Sequence, residues 1–297
     1  MIVTHMNPDL DAICGTWLLK RFGGLENEPV EFVSTGNPDA EKLEKAVAVV
    51  DTGRQSDSIK RRFDHHHLPG QDANDTCAAM QVYQSLKHFA EIAHLEPLIS
   101  LIFAGDTGRS EATASRELGL HALLSGYKAQ FTEQNPNVRL SDEAILAYGF
   151  GLLDILEVRL RKQAEARTEL AEKTVYKSDD GLVWAIRHGS QGSTSAAYDE
   201  GARVVVFEGQ PIEVDGGTTY PVGIMRAGEW TEPNVGELAE RVAVSKPFAD
   251  EIGKWFKHPA GFFAGRGTAK APVFEPVEID IAALAEAIDA TWLRPAT

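Results

Sequence analysis

The chain has 297 residues, with 44 acidic side chains against 29 basic ones, a formal net charge of -15 and two cysteines. That length fits two domains better than one small core. The composition excludes a disulfide framework, a surface built to grip long duplex nucleic acid, which would be basic, and, with no apolar run of bilayer length, a membrane span. No basic-then-apolar leader opens the sequence, so a cytoplasmic address is expected.

In chain order, residues 1–4 read as a buried strand. Ile13, Trp17, Leu18 and Leu19 then recur at helical spacing between Leu10 and Phe22, and Gly23-Gly24 stops the helix. Pro29 to Val33 reads as a second strand, and Asp39 to Lys45 as a short polar helix. Ala46-Val47-Ala48-Val49-Val50 is a continuous apolar run, the pattern of a strand buried on both faces of a parallel sheet, and it ends in Asp51. Strand, helix, strand, helix, strand is the order of an open α/β sheet, in which ligands bind beyond the carboxyl ends of the strands. A long helix is expected from a cap at Asp75-Thr76 to about Ala93, and an apolar helix or strand from Pro97 to Phe103.

Ser141 to about Thr174 is the longest helical pattern, and its apolar stripe turns highly charged beyond Arg161, which suits a bridge between domains. Leu182 to Arg187, Ala202 to Phe207 and Tyr220 to Met225 alternate as strands, while Gly236 to Val244 and Phe248 to Phe256 read as helices. The expected fold is α/β. An N-terminal parallel-sheet domain occupies residues 1–140, a bridging helix 141–174, and a smaller C-terminal α/β domain 175–297.

Chemistry concentrates at the ends of the apolar runs. His5, Asp9 and Asp11 lie within Thr4-His5-Met6-Asn7-Pro8-Asp9-Leu10-Asp11-Ala12, where Asn-Pro breaks regular structure. Two carboxylates 4 Å apart repel by about 4 kcal/mol at an effective dielectric of 20, and a divalent cation reverses that sign. Asp51, Asp64-His65-His66-His67 and Asp106-Thr107-Gly108 add more such groups. Imidazole and carboxylate without thiolate suit Mn²⁺ or a similar ion, and so many carboxylates suit two ions better than one. His67 is not expected to be a ligand, and His88, His94, His121 and His188 have no motif around them.

The order of these residues resembles the DHH phosphoesterase superfamily, named for the triplet present here as Asp64-His65-His66. His5-x-x-x-Asp9-x-Asp11 is similar to its first motif, Asp51 to its second, the triplet to its third and Asp106-Thr107-Gly108 to its fourth, over roughly residues 1–115. The resemblance implies that His5, Asp9 and Asp51 hold one ion, and that Asp11, Asp51, His65 and Asp106 hold the other. It implies two divalent ions, Mn²⁺ first, with Mg²⁺ or Co²⁺ as alternatives. His66 would face the substrate phosphate as donor or acid, and Asp64 would orient the histidines. The resemblance also implies a C-terminal substrate domain with a strand arginine and a Gly-rich loop carrying a histidine. The matching positions are Arg226 and the loop His258 to Thr268, with His258, Gly265, Arg266 and Gly267; the family's glycine run directly before the histidine is absent.

The expected activity is metal-dependent hydrolysis of phosphodiester bonds in short oligonucleotides or small nucleotides. It would be of 3′–5′ exonuclease or phosphodiesterase type, in a cleft between domains that closes over the substrate. Phe262, Phe263 and Trp255 are candidate base-stacking rings. Hydrolysis of inorganic pyrophosphate or polyphosphate is the alternative, because His5-Met6-Asn7-Pro8-Asp9 resembles the opening of the manganese pyrophosphatases of the same superfamily. A non-catalytic nucleotide sensor is a third reading. The expected partner is the small phosphorylated substrate or short oligonucleotide, with no long duplex and no membrane, and a homodimer stays open.

Overall fold

Short β-branched runs make the first sheet. The computed structural model describes residues 1–35, 38–68, 72, 74–109, 117–190, 192–244, 248–276 and 279–292. It is mixed α/β and divides into two units, Met1–Leu160 and Arg161–Thr297. In the first unit, β1 (Ile2–His5), β2 (Val30–Val33), β3 (Ala48–Val50), β4 (Ser56–Asp57) and β5 (Arg62–Phe63) form one sheet in the order β2-β1-β3-β5-β4. β1 is parallel to β2 and β3, and β3 is parallel to β5, while β4 closes the edge antiparallel. Parallel strands send their carboxyl ends the same way. His5 at the end of β1, Asp51 after β3 and Asp64 after β5 therefore emerge along one edge.

One face of this sheet carries Ile2, Ala48, Val50 and Phe63 into a core with α1 (Leu10–Phe22) and α3 (Ala78–Leu86). The other carries Val3, Val33 and Val49 against Leu43 of α2 (Ala40–Lys45). Burying each such side chain contributes about 1.5–3 kcal/mol. The helix expected from Asp75-Thr76 to Ala93 is shorter, at Ala78–Leu86. Its N-cap residue is Cys77, and the N–H groups of Ala78 and Ala79 donate to the Asp11 carboxylate rather than to a local side chain. Beyond Leu86 the apolar face runs out, and Phe89 stands 89% exposed.

Next come α4 (Glu96–Asp106), opened by a proline in its first turn, and α5 (Leu120–Gln134). α5 was not anticipated, because Leu124 is its one buried residue among those described. α6 (Asp142–Lys173) has 32 residues, about 48 Å at 1.5 Å per residue, and spans the division between the units.

The second unit holds β6 (Thr174–Lys177), β7 (Val183–Gly189), β8 (Val204–Gly209), β11 (Val222–Arg226), β12 (Phe256–Lys257) and β13 (Phe263–Arg266), ordered β12-β13-β11-β8-β7-β6. A hairpin of β9 (Ile212–Val214) and β10 (Gly217–Thr219) stands apart. β7 and β8 are parallel through α7 (Ser193–Asp199), and the other pairs in the large sheet are antiparallel. Val183, Ala185, Val204, Val206 and Ile224 face α8 (Val235–Ala243), α9 (Ala249–Ile252) and α10 (Ile281–Thr291). Trp184, Ile186 and Val205 face α7 and Leu170. The expected helix from Phe248 to Phe256 is one turn followed by β12, and Gly253-Lys254 separates the two. Among the described residues, no helix is long and apolar enough to cross a membrane.

Candidate metal centre

β1 ends in His5, whose Nδ1 lies 2.9 Å from the Met6 carbonyl. A carbonyl only accepts, so Nδ1 carries a proton and Nε2 is the nitrogen turned toward the carboxylates. That Nε2 is 3.2 Å from Asp51 Oδ2 and 3.8 Å from Asp9 Oδ1. Asp9 caps α1, its Oδ1 accepting from the N–H groups of Asp11 and Ala12. His65 Nε2 lies 3.4 Å from Asp106 Oδ2, 3.8 Å from Asp51 Oδ1 and 4.0 Å from Asp11 Oδ2. His66 Nδ1 is 2.8 Å from Asp64 Oδ1 and 3.4 Å from Asp51 Oδ1.

These contacts resolve into three sets, His5–Asp9–Asp51, Asp51–His65–His66 and Asp11–His65–Asp106. Each set offers one donor atom per residue, all within 4.8 Å of one another. The sets interlock, because Asp51 belongs to two and His65 to two. Oxygens about 2.1 Å from a common ion lie about 3 Å apart at right angles and about 4 Å apart across it. The observed separations of 3.2 to 4.0 Å fall in that range.

The electrostatics point the same way. Asp11 and Asp51 are 1% and 2% exposed. Asp51 Oδ1 and Asp106 Oδ2 are buried with no hydrogen-bond partner among the described residues. Uncompensated buried charge costs several kcal/mol. Burial, with the charges of Asp51 and Asp106, pushes Asp11 well above the carboxylate range. Burial also raises Asp106 to about 6, with the charges of Asp51 and Asp9 adding to it and those of His65 and His66 opposing it. Burial opposes a charged His5, yet the hydrogen bonds to Asp51 and Asp9 outweigh it and raise the ring to about 10. The cluster thus draws in positive charge by holding protons. Carboxylate and imidazole donors with bare oxygens between them fit a divalent cation.

Asp64 behaves differently. Burial works against its charge, but hydrogen bonds from His66 and from the Arg54 N–H hold it down at about 2. It stays ionised and accepts the Nδ1–H of His66, which turns Nε2 of a ring 56% exposed toward open space. The turn after β3 carries Asp51 (φ 52°), Gly53 (φ 86°) and Arg54 (φ 54°) in the left-handed region. At Asp51 and Arg54 that costs about 1–2 kcal/mol each.

His5, Asp9, Asp11, Asp51, Asp64, His65, His66 and Asp106 all lie in this one cluster, and exposed His67 joins none of the three sets. Asp11 does two things at once, since its Oδ2 and Oδ1 accept the N–H of Ala78 and of Ala79, both at 2.7 Å. Each carboxylate oxygen keeps a second lone pair.

Two groups at the centre had no signal in any motif. Lys128 of α5 donates from Nζ to the Pro8 carbonyl at 3.0 Å and the Asn7 carbonyl at 3.5 Å, pinning the loop that leads to Asp9. Burial lowers its pKa against the pull of Asp9 and Asp142. His121 approaches α4 with its Nε2, and a Cβ at Gly105, next to Asp106, would sit 2.0 Å from that nitrogen. His121, Leu124 and Lys128 recur at helical spacing on one face of α5. That period was the available clue.

In the second unit, Arg226 ends β11 under the turn after His258. Its N–H donates to the Phe262 carbonyl at 2.9 Å, and its Nη2 is 3.5 Å from the Ala260 carbonyl. Its Nε and Nη1 are buried with no hydrogen-bond partner among the described residues. His258 Nδ1 accepts from the Ala260 N–H, and its ring lies 4.2 Å from that of Phe262.

The other three positions are engaged within their own unit. Arg266 pairs with Glu251 at 2.7 Å and donates to the carbonyls of Glu275 and Pro276. Gly265 belongs to β13, where a Cβ would meet the Val222 carbonyl at 2.4 Å; Gly267 (φ 72°) would put one 2.0 Å from that of Tyr220. Phe263–Arg266 of the expected Gly-rich loop is therefore a strand, and Gly265 and Gly267 permit close approach of two backbones. Trp255 is not an available stacking ring, being 4% exposed in the core, whereas Phe262 is 37% exposed.

No protein-family model matches the chain, and no curated protein matches it.

Proposed function

We propose that the chain is a DHH-type phosphoesterase, using two divalent ions to hydrolyse phosphodiester bonds of short oligonucleotides or small nucleotides. One observation carries the reading: buried Asp51 is shared by two interlocking sets of His and Asp donors, and one of its oxygens has no hydrogen-bond partner among the described residues. His5, Asp9 and Asp51 would hold one ion, Mn²⁺ by preference, and Asp11, Asp51, His65 and Asp106 a second. When bound, such ions supply acidification of a water nucleophile and neutralisation of charge on the phosphoryl oxygens.

The protein's own groups do the rest. Asp64 fixes the tautomer of His66, so Nε2 is the nitrogen that meets the phosphoryl or leaving-group oxygen and holds or donates the proton there. Lys128 holds the loop before Asp9 in place through two carbonyls. Arg226 supports binding of a substrate anion by the second unit, because buried guanidinium N–H groups call for an acceptor. A net charge of -15 disfavours long polyanions and leaves short substrates acceptable.

The test is a panel of dinucleotides, nucleoside monophosphates, pyrophosphate and a nitrophenyl phosphodiester, incubated with purified protein and Mn²⁺. Phosphodiester cleavage that chelation abolishes is the expected result. Cleavage of pyrophosphate alone would replace this reading with a pyrophosphatase, and no turnover on any substrate would reject catalysis.

A further inference from the structure

Beside the metal centre lies a cavity of about 510 Å³, whose walls include Thr35, Asp51, Arg54, Asp64 and His66. Through Thr52 and Gly53 it adjoins a second cavity of about 390 Å³, lined in part by Lys60 and Arg62. The pair makes a trough leading away from His66. Its first volume is in the range of small-molecule sites.

Arg54 is held at the near end of this trough by the same carboxylate that holds His66. Asp64 Oδ1 accepts the His66 N–H at 3.0 Å and lies 2.8 Å from its Nδ1, and Oδ2 accepts the Arg54 N–H at 2.6 Å. The left-handed turn at Asp51, Gly53 and Arg54 fixes where the arginine side chain leaves the backbone. Its guanidinium has no partner among the described residues. Farther along, Arg62 donates to the carbonyls of Lys60, Leu43 and Ala46, neutral acceptors that leave its charge uncancelled. Lys60 is 3.7 Å from Asp57, and Glu44 also lines the second cavity. In a chain with 44 acidic and 29 basic side chains, the three cations Arg54, Lys60 and Arg62 here match the wall carboxylates Glu44, Asp51 and Asp64 one for one.

We infer that Arg54 binds the backbone phosphate next to the scissile one, and that the trough past Thr52 and Gly53 carries the adjoining nucleotide. The substrate class is then a single-stranded oligonucleotide with at least two backbone phosphates, rather than pyrophosphate or a lone nucleotide. A guanidinium meets a phosphate with paired N–H donors, which a single ammonium does not reproduce. The inference rests on the phosphodiesterase reading above.

The experiment compares wild type, Arg54→Gln and Arg54→Lys on two substrates. One is a trinucleotide with two phosphodiesters; the other is a dinucleotide with one phosphodiester and no terminal phosphate. Gln carries the same left-handed backbone cost as Arg, so folding is matched. Arg54→Gln should raise KM for the trinucleotide about tenfold or more with kcat within about twofold, and leave the dinucleotide within about twofold. Arg54→Lys should recover part of the loss.

A second readout is binding of a labelled trinucleotide phosphorothioate at several salt concentrations. The variant's slope of log affinity against log salt should be shallower by about 0.7, the share of one phosphate on a single strand. Equal effects on both substrates, or an unchanged slope, would overturn the inference and leave the phosphodiesterase reading intact. If wild type cleaves neither substrate, the phosphodiesterase reading fails, and this inference fails with it.

Discussion

Asp106→Asn separates the stability of the centre from its capacity for cations. In the protein without bound ions, burial and the charges of Asp51 and Asp9 raise Asp106 from the usual 3.8 to about 6, despite His65 3.4 Å away. A carboxyl whose folded-state pKa lies above its unfolded value binds more protons when folded than when unfolded between those two values. Its contribution is therefore present at low pH and is lost as pH rises through about 4 to 6. At about 1.4 kcal/mol per pH unit the loss is roughly 3 kcal/mol. The side chain is 16% exposed, so solvent screening removes little of it. Asparagine cannot ionise. Chelator-treated Asp106→Asn should exceed wild type by about 3 kcal/mol at pH 8, and the gain should vanish near pH 4.

Mn²⁺ at about 1,000 times Kd should reverse the order, because it adds about 4.1 kcal/mol to a protein that binds it. Urea unfolding at pH 4 to 8, with chelator or with Mn²⁺, reads both effects. A metal-free variant no more stable than wild type at pH 8 would refute the electrostatic reasoning. So would equal stabilisation of both proteins by Mn²⁺.

Other substitutions separate positioning from packing. Lys128→Met removes the donor to the Asn7 and Pro8 carbonyls; turnover and Mn²⁺ affinity should each fall about tenfold with far-UV circular dichroism unchanged, and Lys128→Arg should restore part. Gly105→Ala forces a Cβ into His121 and should cost about 1–3 kcal/mol in thermal unfolding, most of it recovered when His121→Ala is added. Arg266→Met removes the cation from the half-buried Glu251 carboxylate, which keeps only the Trp255 Nε1 donor, and should cost about 3 kcal/mol in urea unfolding. Arg226→Met, whose Nε and Nη1 lack partners among the described residues, should stay within about 1 kcal/mol of wild type or exceed it, while weakening substrate binding.

Elements with a single buried solution were readable from the sequence. The apolar strands Ile2–His5 and Ala48–Val50 and the nearly all-buried α1 follow directly from their patterns. The start of α3 was not readable, because what organises it is Asp11, 67 residues back in the chain. α5 was invisible because it buries little and gains its place by contacts such as Lys128 with Asn7, 121 residues away. The acidic and imidazole groups of the centre were visible because they sit at strand ends, where parallel topology gathers them. Arg226 and Arg266 look alike in sequence, each closing a strand beside glycine or alanine. The positions of Glu251 and of the Glu275 and Pro276 carbonyls tell one from the other.

The double engagement of Asp11 bears on what a drifting descendant of this chain would look like. On the proposed reading, a copy that had lost the centre's chemistry would still need an acceptor for the two amides opening α3, and selection for folding alone would retain that aspartate. Asp106 carries no such duty among the described residues and burdens the fold while no ion is bound. Its replacement by a neutral residue, with Asp11 still in place, would therefore be the earliest mark of retired chemistry.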